Sequence, residues 1–381
     1  VLRIELDGTN AGMSNGLVIA APNAEVRGLV INRFAEAGVR IENSGSGIFV
    51  ECNFIGTDPT GTAALANGLG VEVVTTNYAT VGNRNNTRLG NLISGNTGVG
   101  VHVDTESGGI QIRGNSIGIE SGIVIRGAAA SESGVYGNDI GLDALGLPTL
   151  GNGGAGISIE QGASKCQIGW DSGLDNRIAD NGGGGVVVSG SDSIENLISH
   201  NSMEGNTGPG INLLGAPLDD PNDAGDPDEG PNRLQNTPVL LSAERPIDQP
   251  SELHVVYAVD TDPLNAHYPL VIEFFRADAD GTEGAVYLGS DWYDEDDRAA
   301  EPDGSKTVVI VPPVGAVRRR QKIVATARDY TTQQYGGTAG NTSEFSAPAT
   351  VPEPDRDLAV LGALATLGVL VKRGSTRPLH G

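Results

Sequence analysis

Three side chains in this sequence have the types and spacing to move protons on a sugar: Arg40, Glu72 and His102. Each fills the third place of a four-residue unit (Gly, aliphatic, any residue, aliphatic), and the three units are consecutive: Gly38-Val-Arg-Ile, Gly70-Val-Glu-Val and Gly100-Val-His-Val. If the units stack, a guanidinium, a carboxylate and an imidazole fall in line, with the donors and acceptors that general acid–base chemistry needs. The commoner use of such a row is a solvated charge ladder, Arg over Glu, which steadies a β-sheet and does not react. A second group, in the run 219–230, offers hard oxygen ligands: Asp219, Asp220, Asn222, Asp223, Asp226, Asp228 and Glu229. Calcium would relieve their mutual repulsion and stiffen the segment. The glycine and the distal glutamate are out of register for an EF-hand loop, and a solvated acidic linker explains the same residues. The acidic run 291–297 reads as an exposed loop. Asp58 and Asp143 occupy equal places in two copies of one repeat, next to turn residues, and so read as turn caps.

The elements that must position these residues follow from repetition. The four-residue unit returns eight times, at Gly16, Gly38, Gly70, Gly100, Gly122, Gly156, Gly185 and Gly210, at intervals of 22 to 34 residues. A shortest period of 22 with insertions of variable length is the signature of a solenoid coil. Alternation points the aliphatics inward and leaves Val18, Arg40, Glu72, His102, Val124, Ser158, Val187 and Asn212 outward. Second strands are read at Asn91-Leu-Ile-Ser, Asn176-Arg-Ile-Ala and Asn196-Leu-Ile-Ser, with corner asparagines Asn96, Asn181 and Asn201 that can bond along the stack. A longer block also recurs: Asn53-x-Ile-Gly-x-Asp58 and its sequel reappear as Asn138-x-Ile-Gly-x-Asp143, and the match continues through Val81-Gly82 against Ile168-Gly169. Duplication of several coils accounts for this, since each coil packs only on its neighbours.

Composition supports two domains. Of 381 residues 56 are glycine and only 4% are aromatic, yet six of the eight tyrosines lie beyond residue 236, so the chain changes character there. Residues 1–216 are expected to form the solenoid, 217–236 an acidic linker, and 237–350 a sandwich of the immunoglobulin or fibronectin type. Seven short strand-like runs (239–243, 253–259, 270–276, 285–288, 306–311, 321–327 and 344–350) separated by Asp, Gly and Pro turns support the sandwich. Within it Ile272 and Phe274 share one face and Glu273 and Phe275 the other. His254 and His267 read as structural or solvated. With 48 acidic against 24 basic residues, a net charge of −24 repels polyanions and excludes nucleic acid as partner. Cys52 and Cys166 match no metal or disulfide spacing and read as packing residues.

The runs Asn53-Phe-Ile-Gly-Thr-Asp-Pro-Thr-Gly and Asn91-Leu-Ile-Ser-Gly-Asn resemble those of bacterial right-handed β-helix repeat proteins of the pectate-lyase-like superfamily, over residues 1 to about 236. The resemblance implies an all-β right-handed parallel β-helix. It leaves activity open, because the superfamily holds lyases, glycosidases, epimerases, adhesins and proteins without known chemistry. Its lyases use calcium-binding carboxylates and an Arg or Lys base, and its glycosidases use paired carboxylates about 5 to 9.5 Å apart; no such aspartate cluster is visible here. At the other end Pro352-Glu353-Pro354, the apolar stretch 358–371 (Leu358 first, Val371 last) and the pair Lys372-Arg373 look like a PEP-CTERM sorting signal, followed by a tail, 374–381. That likeness implies a short hydrophobic helix in transient membrane contact, an exosortase-like processing enzyme as partner, and delivery to the cell envelope, outer surface or extracellular matrix. Fourteen residues reach about 21 Å, short of a hydrocarbon core of about 30 Å, as suits a transient anchor. Because the sequence opens in strand pattern, an export leader is expected upstream of Val1. The expectation is an exported module that binds polysaccharide or envelope components, with calcium as candidate ion; the alternative is a lyase or hydrolase of uronate-rich polysaccharide using Arg40, Glu72 and His102.

Overall fold

The computed structural model of the chain describes residues 4–83, 85, 90–118, 121–143, 147, 151–170, 173–214, 221–329, 331–332 and 338–353. Between residues 4 and 214 the strands form three sheets. Sheet 1 runs from Ile4–Asp7 to Ser202–Glu204 in eight strands, sheet 2 from Leu17–Ile19 to Ile211–Leu214 in eight, and sheet 3 from Glu25–Arg27 to Leu197–Ile198 in seven. Neighbours within a sheet are parallel and come from successive coils, so the chain visits sheets 1, 2 and 3 in turn and climbs one rung. This is a right-handed parallel β-helix, with about 4.8 Å per rung and a length of roughly 35–40 Å.

The interior is a set of aliphatic stacks. Ile55, Ile93, Ile117, Ile140 and Ile178 form one file in sheet 1, each fully buried. β-branched residues suit this place because they pack well on a pleated surface, and burying each contributes about 1.5–3 kcal/mol. Sequence reading finds sheets 1 and 2 but not sheet 3, whose strands carry single inward residues: Val50, Val81, Ile112 and Ile168 sit beside Glu, Thr, Gln or Arg without a glycine lead, and only Val135 follows a glycine, Gly134. One assignment is corrected for the same reason: Asn196-Leu-Ile-Ser belongs to sheet 3, whereas Asn91-Leu-Ile-Ser and Asn176-Arg-Ile-Ala are in sheet 1.

Buried asparagines stitch the coils at two corners. Asn53, Asn91, Asn115, Asn138, Asn176 and Asn201 form one ladder, each Nδ2 donating to the Oδ1 of the next at 2.9–3.1 Å. Asn67 bonds to Asn96, and Asn152 to Asn181 and on to Asn206, at a second corner. Asn96 and Asn181 therefore belong to a different ladder from Asn201. The left-handed backbone is carried by the preceding residue, as at Cys52, Gly114, Gly137 and His200, and the asparagine turns inward.

The duplicated block has a structural reason too. Gly56 and Gly141 both have positive φ, 93° and 85°, and a Cβ there would lie 2.3 Å from the Asn96 Oδ1 and 1.9 Å from the Ala179 carbonyl oxygen. Gly28 also has positive φ, but a Cβ there would meet nothing within 4 Å. Gly141→Ala is expected to cost at least about 3 kcal/mol in urea unfolding, and Gly28→Ala about 1–2 kcal/mol from backbone strain alone. Equal losses at the two sites would contradict the steric account.

Beyond the solenoid, a three-stranded sheet (Val239–Glu244, Leu253–Ala258, Lys306–Ile310) packs on a four-stranded one (Gly284–Tyr293, Leu270–Ala277, Lys322–Arg328, Ala349–Thr350) as the expected sandwich. Ile272 and Phe274 enter its core, and Phe275 faces the other way, as alternation requires. The acidic run 291–297 is not a loop. Asp291 to Tyr293 finish a strand, and Glu295–Ala300 is a helix whose capping box joins Asp294 and Asp297.

The outer face of the four-stranded sheet is buried against the last coil of the solenoid. Backbone N–H groups of that coil donate to sandwich acceptors: Glu195 to Asn341, Ile198 to Thr342, His200 to Glu273, Asn206 to Glu283 and Leu213 to Glu344, all at 2.7–3.0 Å. Phe345 packs on the last inward residues. A sheet edge left open invites pairing with another chain, and here the sandwich closes it.

Candidate functional site

The outward row of sheet 2 is as alternation places it: Arg40 lies opposite Glu72, Glu72 opposite His102, and His102 opposite Val124. The Arg40 guanidinium is held twice, by Nε to Glu42 at 2.6 Å and by Nη1 to Glu72. The bond to Glu42 first, then the charges of Glu72 and Glu42, hold it above its ordinary pKa despite partial burial. His102 is pushed below its ordinary value, mainly by burial and also by the charge of Arg126, against the pull of Asp104, Glu72 and Glu160. The next outward row repeats the pattern, with Arg126 Nη2 on Glu160 Oε1 at 2.6 Å. The structure thus brings all three sequence candidates together, as a fixed charge ladder with one neutral imidazole.

Asp58 and Asp143 are turn caps in both copies. Asp58 Oδ1 accepts from the Thr62 N–H at 3.0 Å and Asp143 Oδ1 from that of Leu147 at 2.9 Å, four residues on in each case. Hydrogen bonds from Thr60 and Ala63 bring the Asp58 carboxyl down to about 2.

Of the proposed calcium ligands, Asp223, Asp226 and Asp228 converge, with one oxygen from each within 4.8 Å of the others. Asn222 instead accepts from the Thr237 N–H at 2.9 Å, Glu229 is exposed, and Asp219 and Asp220 lie outside the described residues. The segment is ordered by burial: Asp226, Gln235 and Asn236 are at most 5% exposed, and Gln235, Thr261 and Asn236 all donate to Asp226. Burial lifts the Asp226 carboxyl to about 7, against the bonds from Thr261 and Asn236 and with help from the charges of Asp228 and Asp223. Among the described residues, Asp223 Oδ1 is buried without a hydrogen-bond donor. Three converging carboxylates, one lacking a donor, suit a hard divalent cation.

At the chain's C-terminal side Val351 is fully buried while Pro352 and Glu353 are exposed, and Glu353 pairs with Arg320 at 2.7 Å. Pro354, the apolar stretch 358–371, Lys372 and Arg373 lie outside the described residues; among those described, no helix is long and apolar enough to cross a membrane. Cys52 and Cys166 are both free thiols, and burial pushes that of Cys166 up to about 12.

Sequence reading misses a deeply buried ionic group. Glu273, 1% exposed, accepts from the Ser199 hydroxyl and the His200 N–H, lies 3.3 Å from His200 Nδ1 and faces Arg328 at 3.9 Å. Tyr287 stacks on the His200 ring at 4.0 Å. Its one sequence signal is a lone acid in the apolar run Leu270-Val-Ile-Glu-Phe-Phe. Also unforeseen is a cleft of about 470 Å³ beside the last coil, lined by Glu204, Arg276, Asp278, Arg320 and Lys322 among others.

No family model and no curated protein matches this chain. Among solved structures it is similar to the enzymatically active domain of tailspike protein 2 of bacteriophage CBA120, at 12% identity and a TM-score of 0.28. The match covers 91% of this chain and 64% of that one, so this chain spans less than two thirds of that protein's length.

Proposed function

We propose that this chain is an exported surface or matrix module that binds glycan along the outward face of sheet 2 without cleaving it. The observation that carries the reading is the ladder itself: Arg40 is fixed by Glu42 and Glu72, and Arg126 by Glu160, so the face offers preorganised polar groups on a straight axis. Rungs about 4.8 Å apart lie close to the repeat of an extended sugar chain. An arginine so paired is a poor proton acceptor, which favours recognition over elimination. In retardation through gels containing uronate-rich polysaccharide, Arg40→Ala is expected to weaken binding several-fold; unchanged mobility would contradict the assignment of this face. A second reading, lyase or hydrolase, draws on the half-buried imidazole of His102, held neutral beside Glu72 and therefore able to accept a proton.

Calcium at Asp223, Asp226 and Asp228 belongs to the same reading as a stiffener of the joint between domains. A raised carboxyl pKa means that the folded state holds a proton the unfolded state has released. Asp226 therefore contributes stability that is full below about 4 and lost as pH rises through about 7. Relative to Asp226→Asn, the wild type is expected to lose stability over that window, and calcium at pH 8 to restore it by taking the proton's place. Melting temperatures at pH 8 that are equal with calcium and with chelator would contradict the cation site. The C-terminal motif is proposed to act as a sorting signal read by an exosortase-like enzyme, with Pro352 and Glu353 exposed after the last strand of the sandwich, Pro354 completing the motif in sequence and the segment 358–371 serving as a transient anchor.

A further inference from the structure

We propose that the cleft where the last coil meets the sandwich is a second binding site, for the carboxylate of an acidic sugar, with Arg276, Lys322 and Arg320 supplying the positive charge. The inference rests on the glycan-binding reading and extends it to a place that reading does not use. The cleft, about 470 Å³, is of the size that takes one or two sugar rings, and junctions between domains are favoured places for such sites. Its lining contains three cations in a chain with half as many basic as acidic residues.

The charges that could cancel these cations are already in use or are exposed. Asp278 accepts through Oδ1 from the N–H groups of Gly281, Thr282 and Glu283, which ties it to its own turn. Glu204 is exposed at the cleft edge. Lys322 donates to the Asp280 carbonyl at 2.9 Å, a neutral partner, and among the described residues Arg276 has no ion-pair partner. Arg320 is the exception: it holds the Glu353 carboxylate at 2.7 Å. The chain's own carboxylate thus sits on one of the three cations, which is the interaction a uronate would make. Because Arg320 is 76% exposed and Glu353 52%, that pair is weak and can be displaced. Glu353 is then a competitor for the ligand.

The test is calorimetric titration of the full chain with trigalacturonate, and with a neutral trisaccharide as control. Wild type is expected to bind the acidic trimer at least tenfold tighter than the neutral one, with the difference falling as salt rises. Arg276→Ala combined with Lys322→Ala is expected to remove that preference. Glu353→Gln, which frees Arg320, is expected to tighten binding several-fold, a gain that misfolding cannot produce. Equal affinity for acidic and neutral trimers, or Glu353→Gln and the double variant both behaving as wild type, would overturn the proposal. Arg40→Ala separates the two sites: it is expected to act mainly on the long polymer, while the double variant acts mainly on the acidic trimer's preference. Loss of trimer binding in Arg40→Ala with none in the double variant would place the acidic sugar on sheet 2 and sink the cleft alone.

Discussion

Replacing Glu273 by alanine is expected to cost about 3–5 kcal/mol of stability, among the largest effects of any single change outside the aliphatic core. Burial alone would raise this carboxyl. The hydrogen bond and charge of His200, the charge of Arg328 and the Ser199 hydroxyl outweigh burial and hold it below its ordinary value. Removing it strands a largely buried guanidinium, since Arg328 is 12% exposed and, among the described residues, its Nε and Nη1 already lack hydrogen-bond acceptors. It also strands the His200 N–H on the last coil. Glu273→Gln keeps an acceptor but not the charge, and should fall between wild type and alanine. Because the folded value is lowered, this stability is present above the ordinary carboxylate range and is lost as pH falls below that range and through the lowered folded value. Denaturant unfolding measures the loss, and light scattering should show the uncapped end associating. A loss below about 1 kcal/mol for Glu273→Ala would mean that the sandwich is not the cap.

The second large effect is expected in the middle of the first asparagine ladder. Asn138 accepts through Oδ1 from the Asn115 N–H at 2.9 Å and Asn115 Nδ2 at 3.0 Å. Its Nδ2 donates to Asn176 Oδ1 and to the Ile112 carbonyl. Asn138→Ala leaves at least two buried polar groups without partners, at about 1–3 kcal/mol each, so a loss of roughly 3–6 kcal/mol is expected. Asn138→Asp should be as damaging at neutral pH, because a carboxylate cannot donate and would face three acceptor oxygens, those of Ile112, Tyr136 and Asn176. Wild-type stability of Asn138→Asp would show that the ladder's direction of donation is not what holds the coils.

What can be read from the sequence is what lies within one coil or recurs between coils. The outward place of Arg40, Glu72 and His102 and their register follow from strand alternation plus the glycine-led repeat, and the structure has them as read. The equal roles of Asp58 and Asp143 follow from duplication. Sheet 3 stays hidden because a two- or three-residue strand with one inward side chain leaves too little pattern to detect, and for that reason sequence pattern groups Asn196 with the wrong strands. The acidic run 291–297 hides a helix whose cap, Asp294 to Asp297, has the spacing of a capping box, masked by the surrounding charge. Glu273 is beyond reach for a different reason: its partners Ser199 and His200 lie 74 and 73 residues earlier, and nothing local in either segment marks the contact. The cleft shares that limit, since Glu204 and Arg276 meet only when the sandwich docks on the solenoid.

The central claim, recognition without turnover on the sheet 2 ladder, is tested most directly by incubating the full chain with uronate-rich and neutral polysaccharides, with and without calcium. Unsaturated product and new reducing ends would be followed together. Retention of the uronate-rich polymer with neither product is the predicted result. Sustained product formation that His102→Ala or Arg40→Ala abolishes would contradict it and make this face an active site.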